Sequence, residues 1–341
     1  MVVGVFRPLL PPRLPPQFHF PSLHTLSSSQ TLEEALKATV ETKAYQQIPE
    51  LLLPYKTSCF NPNPFSFLSA LSFNPRNQII DEILQSLIPL RPRCLTQIVY
   101  DCLLSFTLQN PSPLPISLAI LQRSLRSGCL PVPQTQLFLS SAWLQRRSQS
   151  QSVRKLLLEM QSIGYQPDCG TCNYILSSLC EVDQRVEAIK VLKGMSGAGC
   201  IPDTESYGIV INRLCRARKT AEAIELMKEM VVKVGLMPGQ GIVTKLAAAL
   251  RANREIWEAV GMIEFLEREG WPVGFESYEA VFEGCIECKE YVLAAKVVMG
   301  MTENGFIPYI KFRQKVVEGL AGIGEWELAC VVRKRFTALS S

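Results

Sequence analysis

Apolar residues recur along the second half of the chain at the spacing of amphipathic helices, and these helices come in pairs. The segment "CNYILSSLCEV" (172–182) carries apolar residues at intervals of three and four, and so does "VEAIKVLKGM" (186–195) after a short polar break. Similar pairs precede and follow this one. The pattern predicts an all-α chain built from helix-turn-helix units.

Several residue types repeat in one register. Glycine, alanine and methionine positions step by 35 residues with a single step of 36, and the extra residue lies between Met230 and Gly235. Prolines keep nearly the same interval. The landmarks are Gly164, Gly199, Gly235, Gly270 and Gly305; Ala188, Ala223, Ala259, Ala294 and Ala329; Met160, Met195, Met230, Leu266 and Met301; and Pro167, Pro202, Pro238, Pro272 and Pro308.

Each landmark has a physical role in a helix-turn-helix unit. The alanine lets two helices approach closely, the glycine supplies a left-handed residue that ends the second helix, and the proline prevents its continuation. A unit of about 35 residues cannot bury its apolar face alone, so neighbouring units must stack. The sequence therefore predicts an α-solenoid superhelix of helix-turn-helix repeats.

The register also predicts the domain organisation. Residues 31–98 look helical but lack the landmarks; "TLEEALKATVETKAY" and "NQIIDEILQSLI" are its clearest helices, and we interpret it as an amino-terminal region of degenerate repeats. The solenoid would occupy 99–341. Its predicted units are 99–133, which is degenerate, then 134–168, 169–203, 204–239, 240–274 and 275–309, and a partial unit at 310–341.

The first thirty residues contain Arg7, Arg13 and a serine cluster but no acidic residue. That composition is typical of a transit peptide, so we expect an organellar protein, in the mitochondrion or alternatively the chloroplast. A disordered proline-rich tail is the other interpretation of this segment. No window of 18 uninterrupted apolar residues occurs, so we expect no membrane span.

Composition narrows the possible chemistry. The formal net charge is +4, which neither demands nor forbids a polyanionic partner. The two histidines, His19 and His24, both lie in the first thirty residues, which we call the leader. A mature protein without them cannot use a catalytic histidine or an imidazole metal ligand. We expect no cofactor, no metal site and no enzymatic activity.

Two C-x-x-C pairs, Cys169 with Cys172 and Cys285 with Cys288, could suggest metal or redox chemistry. In each pair one member, Cys172 or Cys285, fills a position that is apolar in other units. The pairs also lie about three repeats apart in an array where units contact only their neighbours. We therefore interpret them as buried packing residues.

Two stretches carry a family resemblance: "TCNYILSSLC" (171–180) with "EAIKVLKGMSGAGCIPD" (187–203), and "ESYGIVINRLCRARKTAEAIELMKEM" (205–230). A helix-turn-helix unit of this length that ends in G-x-x-P-D resembles the pentatricopeptide repeat. The tetratricopeptide repeat has 34 residues and a W-x₂-L-G signature, which is missing here. The resemblance covers 134–341 and, more weakly, 99–133. The absence of added editing or nuclease motifs is similar to the repeat-only class.

This resemblance implies binding of single-stranded RNA, with one base read per repeat by the fifth residue of the first helix and the last residue of the unit. In unit 169–203 these residues are Asn173 and Asp203, a pair that in the family favours uracil. An amide can donate to and accept from a pyrimidine edge, and a carboxylate can accept a proton or orient the amide. The alternative for Asp203 is a structural one, as a helix N-cap.

The corresponding pairs in other units depart from this pattern. Glycine offers no group to a base, and the carboxylate of Glu279 would repel phosphate. We retain Phe138, Asp168 and Thr244 as further candidates for base contact, Phe138 by stacking and Asp168 with N-capping as its alternative. The four departing pairs are Phe138 with Asp168, Gly208 with Gly239, Thr244 with Gly274, and Glu279 with Tyr309.

Basic residues gather on several first helices and could contact phosphates if those helices line the concave face. The candidates are Arg213, Arg216, Lys245 and Arg251. An ordinary solvated helix face is the alternative for each of them. Further basic residues on first helices are Arg146, Arg147, Arg218, Lys219, Arg254, Lys311, Arg313 and Lys315.

These observations together predict an RNA-binding adaptor that stabilises, processes or helps translate an organellar transcript by binding alone. Its partners would be single-stranded RNA and, beside it, the ribosome or other RNA-processing proteins. The alternative is a protein-interaction scaffold, such as an organellar ribosome-associated subunit. It is favoured by the near-neutral charge and by the units whose reading pairs match no code.

Overall fold

The computed structural model describes residues 29–54, 63–109, 114–149 and 152–338. These ranges contain helices and turns but no strand, so the predicted all-α fold is confirmed. The helices are α1 (Ser29–Glu41), α2 (Ile48–Leu52), α3 (Phe73–Leu87), α4 (Cys94–Gln109), α5 (Leu114–Arg126), α6 (Gln134–Ser148), α7 (Val153–Leu158), α8 (Cys169–Glu181), α9 (Arg185–Met195), α10 (Thr204–Arg216), α11 (Thr220–Lys228), α12 (Gln240–Asn253), α13 (Ile256–Arg268), α14 (Phe275–Glu287), α15 (Tyr291–Glu303), α16 (Ile310–Gly322) and α17 (Trp326–Ala338).

From α6 onward the helices form pairs. We call α6, α8, α10, α12, α14 and α16 the first helices and the helix after each the second helix. Each first helix packs against the first helix of the next unit, and from α8 onward each also packs against its own second helix. Five first helices begin at residues 169, 204, 240, 275 and 310, where the sequence register places the units. The stacked pairs make the solenoid.

The repeated glycines end the second helices in a left-handed conformation. Gly164 has φ +82° and Gly305 has φ +80°, and the glycines between them are similar. After Gly164 the amide of Tyr165 donates to the carbonyl of Met160 at 3.0 Å, which closes the last turn. The repeated alanines and the Met/Leu series are buried, because they form the contact between helices.

The one-residue slip in the register has a local cause. Residues Glu229–Lys233 form a π-helical turn, which takes up one extra residue without breaking the helix. The closing hydrogen bond is correspondingly longer in sequence, from the amide of Leu236 to the carbonyl of Met230 at 3.1 Å. The extra residue is therefore absorbed inside this unit, and the following units keep their register.

The two rows of helices are not packed equally. From α6 to α14, neighbouring first helices contact one another along most of their length, whereas neighbouring second helices touch much less. In a curved stack the more closely packed row lies on the inner side. The exposed face of the first helices therefore lies on the inner side of the stack from α6 to α14, and we call it the groove; α16 continues the same row with a smaller contact to α14.

The amino-terminal region is helical and packs onto the repeats. The Tyr165 hydroxyl donates to Asp81 Oδ1 at 2.6 Å, and the Asn63 side-chain amide donates to the carbonyl of Cys102 at 2.9 Å. Helix α4 begins at Cys94, ahead of the predicted unit start at 99. Residues 1–28 of the predicted leader lie outside the described residues. Within the described ranges, no helix is both long and apolar enough to cross a membrane.

Close helix packing predicts the effect of a methyl group at Gly319. A Cβ there would lie 2.2 Å from Cε1 of the Tyr291 ring, which belongs to the neighbouring α15. We expect Gly319→Ala to lower the free energy of unfolding by about 1–3 kcal/mol through overpacking. Denaturant unfolding followed by circular dichroism measures this change.

Gly261→Ala is the matched control, because Gly261 lies inside α13 and a Cβ added there would meet no neighbouring atom within 4 Å. Because alanine has a higher helix propensity than glycine, this substitution should raise the free energy of unfolding by about 0.5–1 kcal/mol. Equal effects of the two substitutions would contradict the packing of α15 against α16.

Candidate nucleic-acid interface

The groove is lined by one face of each first helix. In α12 the exposed residues of this face are Gly241, Lys245, Ala248 and Ala252, at intervals of four, three and four. The fifth residue of each first helix lies on or beside the same face. It therefore sits at the junction with the next unit, where the last residue of its own unit caps the following first helix.

The structure brings the predicted reading pair together. Asn173 on α8 donates from Nδ2 to Oδ1 of Asp203 at 3.3 Å. The Asn173 side chain is only 6% exposed, and its Oδ1 accepts a hydrogen bond from the Ser206 hydroxyl at 2.6 Å. The hydrogen bonds from the Asn173 amide and from the Ser206 backbone both go to Oδ1 of Asp203. Its Oδ2 therefore remains for a base edge or for the nearby Cys169 thiol.

Asp203 also begins α10. Its Oδ1 accepts from the backbone amide of Ser206 at 2.8 Å, while the Ser206 hydroxyl accepts from the amide of Asp203 at 3.1 Å. This is a complete capping box. Burial alone would raise the pKa of Asp203, but the hydrogen bonds from Ser206 outweigh it and hold the pKa below its usual value. The N-cap interpretation of Asp203 is thus confirmed, and its role in base reading stays a prediction.

Asp168 is more fully occupied. It caps α8 by accepting from the amide and the hydroxyl of Thr171, at 2.9 and 2.6 Å. Its other oxygen, Oδ2, accepts a hydrogen bond from Nε of Arg126 and forms an ion pair with Nη2, each at 2.8 Å. Phe138, the predicted partner of Asp168, is half-buried on α6. A base would have to displace part of this network to reach the carboxylate.

The remaining pairs differ in chemistry. The Thr244 hydroxyl lies 2.9 Å from the Ser277 hydroxyl, so it is engaged across the junction of α12 and α14. Gly208 is buried, and a Cβ on it would lie 2.9 Å from Cδ1 of Ile242. Gly274 donates its amide to Gln240 at 2.8 Å, and the Tyr309 ring meets the edge of Phe275.

The sequence reasoning missed one set of residues at these junctions: the third residue of each first helix. Thr171, Ser206, Ile242 and Ser277 each contact the fifth residue, the last residue or both of the unit before. A signal exists in the sequence, since three of the four carry a hydroxyl at the repeat interval. Within any single unit, however, such a residue looks like an ordinary first-turn position.

Several candidate phosphate contacts are engaged in ion pairs between helices. Arg213 on α10 binds Oδ1 of Asp183 at 3.0 Å. Arg251 on α12 binds both Glu283 and Glu287 on α14, which raises the pKa of its guanidinium. Such pairs link successive units, so a phosphate would have to compete for these two arginines.

Other cations of the groove are available. Arg216 at the end of α10 and Lys245 on α12 are exposed, and neither forms an ion pair within the part of the chain that the structure describes. On α16 the Lys311 and Lys315 ammonium groups lie 4.4 and 5.9 Å from the centre of the Phe312 ring. These four cations can contact phosphate without breaking an ion pair that the structure describes.

Helix α14 presents the opposite charge to the groove. Glu276, Glu279, Glu283 and Glu287 follow one another at helical spacing on its groove face. Burial, followed by the charge of Glu283, raises the pKa of Glu279. Arg251 compensates two of the four carboxylates, and Glu276 and Glu279 form no ion pair among the described residues. The groove is therefore locally acidic between two basic stretches.

Small residues leave a hollow beside this acidic row. Between α12 and α14 a cavity of 540 Å³ is lined mainly by three alanines and by charged groups of both signs. Two of its lining residues, Ala248 and Ala252, belong to the groove face of α12. The lining residues are Ala248, Arg251, Ala252, Arg254, Ala280, Glu287 and Cys288.

The cysteines of the two C-x-x-C pairs are placed as packing residues. Cys172 and Cys285 are completely buried, and burial raises the pKa of the Cys285 thiol to about 12. Cys169 and Cys288 are half-buried. Across the ranges that the structure describes, no three His, Cys, Asp or Glu residues are grouped so as to hold a metal ion.

Comparison with known proteins supports the repeat assignment. Residues 167–216 match the PPR repeat family, and residues 205–233 match the PPR repeat. A pentatricopeptide repeat-containing protein of Arabidopsis thaliana is 64% identical over 321 residues, which is 94% of each chain.

Solved structures of repeat proteins are also similar, at lower identity. The maize pentatricopeptide repeat protein PPR10 is 17% identical with a TM-score of 0.42, over 87% of this chain and 45% of the maize chain. PPR10 in complex with an 18-nt psaJ RNA element is 12% identical with a TM-score of 0.23, over 94% of this chain and 66% of that chain. The PPR domain of Arabidopsis thaliana protein-only RNase P 1 in complex with tRNA is 15% identical with a TM-score of 0.36, over 49% of this chain and 87% of that chain.

The near-complete alignment to the Arabidopsis relative agrees with the left-handed glycines, the buried alanines and the paired helices described above. The chain belongs to the pentatricopeptide repeat family.

Proposed function

We propose that this protein is an RNA-binding adaptor that holds single-stranded RNA along the groove. The observation that carries the proposal is the junction of α8 and α10, where Asn173 and Asp203 are hydrogen-bonded to each other at the groove side of two adjacent first helices. The second amide hydrogen of Asn173 and Oδ2 of Asp203 form a donor and an acceptor for one base edge.

Backbone contacts would supply most of the affinity. Phosphate contacts position a nucleic acid and base contacts specify its sequence. Arg216 and Lys245 lie on neighbouring first helices, and Lys311 and Lys315 lie further along the same row. Phe312, between the last two lysines, adds an aromatic surface. Together these groups form a discontinuous basic track.

The adaptor would act by occupancy. RNA held in the groove is protected from nucleases or kept from pairing, which stabilises a transcript, directs its processing or frees it for translation. The leader without acidic residues supports an organellar location, in the mitochondrion or alternatively the chloroplast. Crosslinking to RNA in isolated organelles, followed by sequencing, would test both the binding and the target. Recovery of no RNA above background would contradict the proposal.

A second candidate function is a protein-interaction scaffold, such as an organellar ribosome-associated subunit. The acidic row of α14 favours it, because Glu276 and Glu279, which Arg251 does not compensate, repel a polynucleotide. Exposed apolar residues two positions after the turn glycine also favour it. They occur in four units, and we call them the exposed apolar edge: Leu130, Ile201, Met237 and Ile307. Sedimentation with organellar ribosomes after RNase treatment would support the scaffold.

The basic track predicts the behaviour of a double variant. We expect Arg216→Ala/Lys245→Ala to weaken binding to an unstructured RNA several-fold at low salt, because two phosphate contacts are lost. The slope of log K against log salt should fall by about 0.7 for each contact removed. Fluorescence anisotropy at several salt concentrations measures both quantities.

Arg333→Ala/Lys334→Ala is the matched control, since it removes the same charges from the second helix α17. It should change the slope little. If both double variants weaken binding equally, the cations act through net charge and the groove assignment is wrong.

The acidic row predicts the reverse effect. Glu276→Gln/Glu279→Gln should raise affinity for the same RNA several-fold at low salt, because two unpaired carboxylates no longer repel the backbone. The ion pairs of Arg251 remain intact in this variant.

Glu222→Gln/Glu258→Gln makes the same charge change on second helices and serves as the control. Comparable gains in both variants would show that RNA does not pass α14. Anisotropy titrations of the two variants in parallel provide the comparison.

A further inference from the structure

We propose that Ser206, the third residue of α10, is a positioning residue for the base-reading pair Asn173 and Asp203, and that the third residue of a first helix has this role where it carries a hydroxyl. The inference rests on the proposed RNA-binding function. It extends the site from two residues to three, with the third contributed by the next unit along the chain.

Ser206 is fully buried at the centre of the junction between α8 and α10. Its hydroxyl lies 2.6 Å from Asn173 Oδ1 and 2.9 Å from Asp203 Oδ1, and it accepts from the Asp203 amide. Its backbone amide also donates to the Asp203 carboxylate. One residue therefore contacts both members of the reading pair.

This contact fixes which way the Asn173 amide faces. With the Ser206 hydroxyl at Oδ1, the amide nitrogen is turned toward Asp203, at 3.3 Å. The terminal torsion of asparagine has a broad, roughly two-fold profile, so nothing intrinsic to the residue prefers this orientation. The Ser206 hydroxyl at Oδ1 and the Asp203 carboxylate at Nδ2 together hold the amide so that a base meets a donor from Asn173 beside an acceptor from Asp203.

The same arrangement recurs at other junctions. The Ser277 hydroxyl on α14 lies 2.9 Å from the Thr244 hydroxyl on α12. The Thr171 hydroxyl on α8 donates to Asp168, the last residue of the unit before, at 2.6 Å. The Thr171 bond belongs to the cap of α8, whereas the Ser206 and Ser277 hydroxyls reach the fifth residue of the preceding unit. These two contacts separate the role from the capping of a single helix.

The junction of α10 and α12 shows what happens when the third residue is apolar. Ile242 lies against Gly208, where an added Cβ would come within 2.9 Å of Cδ1, and it is also the nearest side chain to Gly239. Any larger residue at position 208 would meet this methyl group. Ile242 consequently occupies the space that a polar residue at 208 would need, and its terminal methyl group would have to move aside to admit one.

Selection from a random pool of single-stranded RNA, followed by sequencing of the bound molecules, tests the role of Ser206. Asn173→Ala identifies the base position that this junction reads, because the preference there is lost. We expect Ser206→Ala to reduce that preference by roughly tenfold, the value of one good base contact, and Ser206→Thr to retain it. Thermal unfolding of each variant shows how much of the protein is folded.

The outcomes separate the inference from the function on which it rests. If the wild-type protein enriches no RNA, the proposed function fails. If it enriches RNA but Ser206→Ala keeps the base preference at the Asn173 position, or if no position depends on Asn173, the positioning role is wrong. A lower midpoint of unfolding with unchanged preference means that Ser206 is only a capping residue.

A second experiment does not require removing Ser206. Gly208→Asn/Gly239→Asp installs a reading pair beneath Ile242, and adding Ile242→Ser supplies the third residue. We expect the triple variant to gain a preference at the adjacent base that matches the one at the Asn173 position, and the double variant to gain none. Equal preferences in the double and triple variants would overturn the inference.

Discussion

The structure depends on the side-by-side packing of successive first helices. Because these helices touch along most of their length from α6 to α14, the fifth residue of one, the last residue of its unit and the third residue of the next meet at a single junction. At each junction these three residues, polar or apolar, lie on the side toward the groove. Helix packing sets the distance between successive junctions. It therefore also sets where along the groove each candidate contact lies.

The same packing determines how much charge the groove can offer to a ligand. Arg213 and Arg251 bridge neighbouring units through Asp183, Glu283 and Glu287, and their charge is compensated within the protein. Because the net charge is only +4, phosphate binding along the groove would depend on its few unpaired cations. A basic residue on a first helix is thus not by itself a phosphate contact, because its neighbour in the next unit can neutralise it.

The sequence was sufficient for the fold, because the determinants of the fold are local and repeated. The left-handed glycines, the buried alanines and even the inserted residue near Met230 each have a direct structural counterpart. The candidate site was predictable only in part. Asn173 and Asp203 could be located by register, but the role of Ser206 and the pairing of Arg251 with α14 depend on contacts between units, which no single repeat reveals.

With this distribution of contacts, the proposed base reading would select a target only weakly. The junction of α8 and α10 joins three polar residues, that of α12 and α14 joins two hydroxyls, and that of α10 and α12 is occupied by Ile242. One good base contact contributes about 1–3 kcal/mol of discrimination, which cannot distinguish one transcript among many. Affinity from the basic track is independent of sequence. Selection of a single RNA would therefore require a second determinant, and the acidic face of α14 and the exposed apolar edge are surfaces on which a protein partner could supply it.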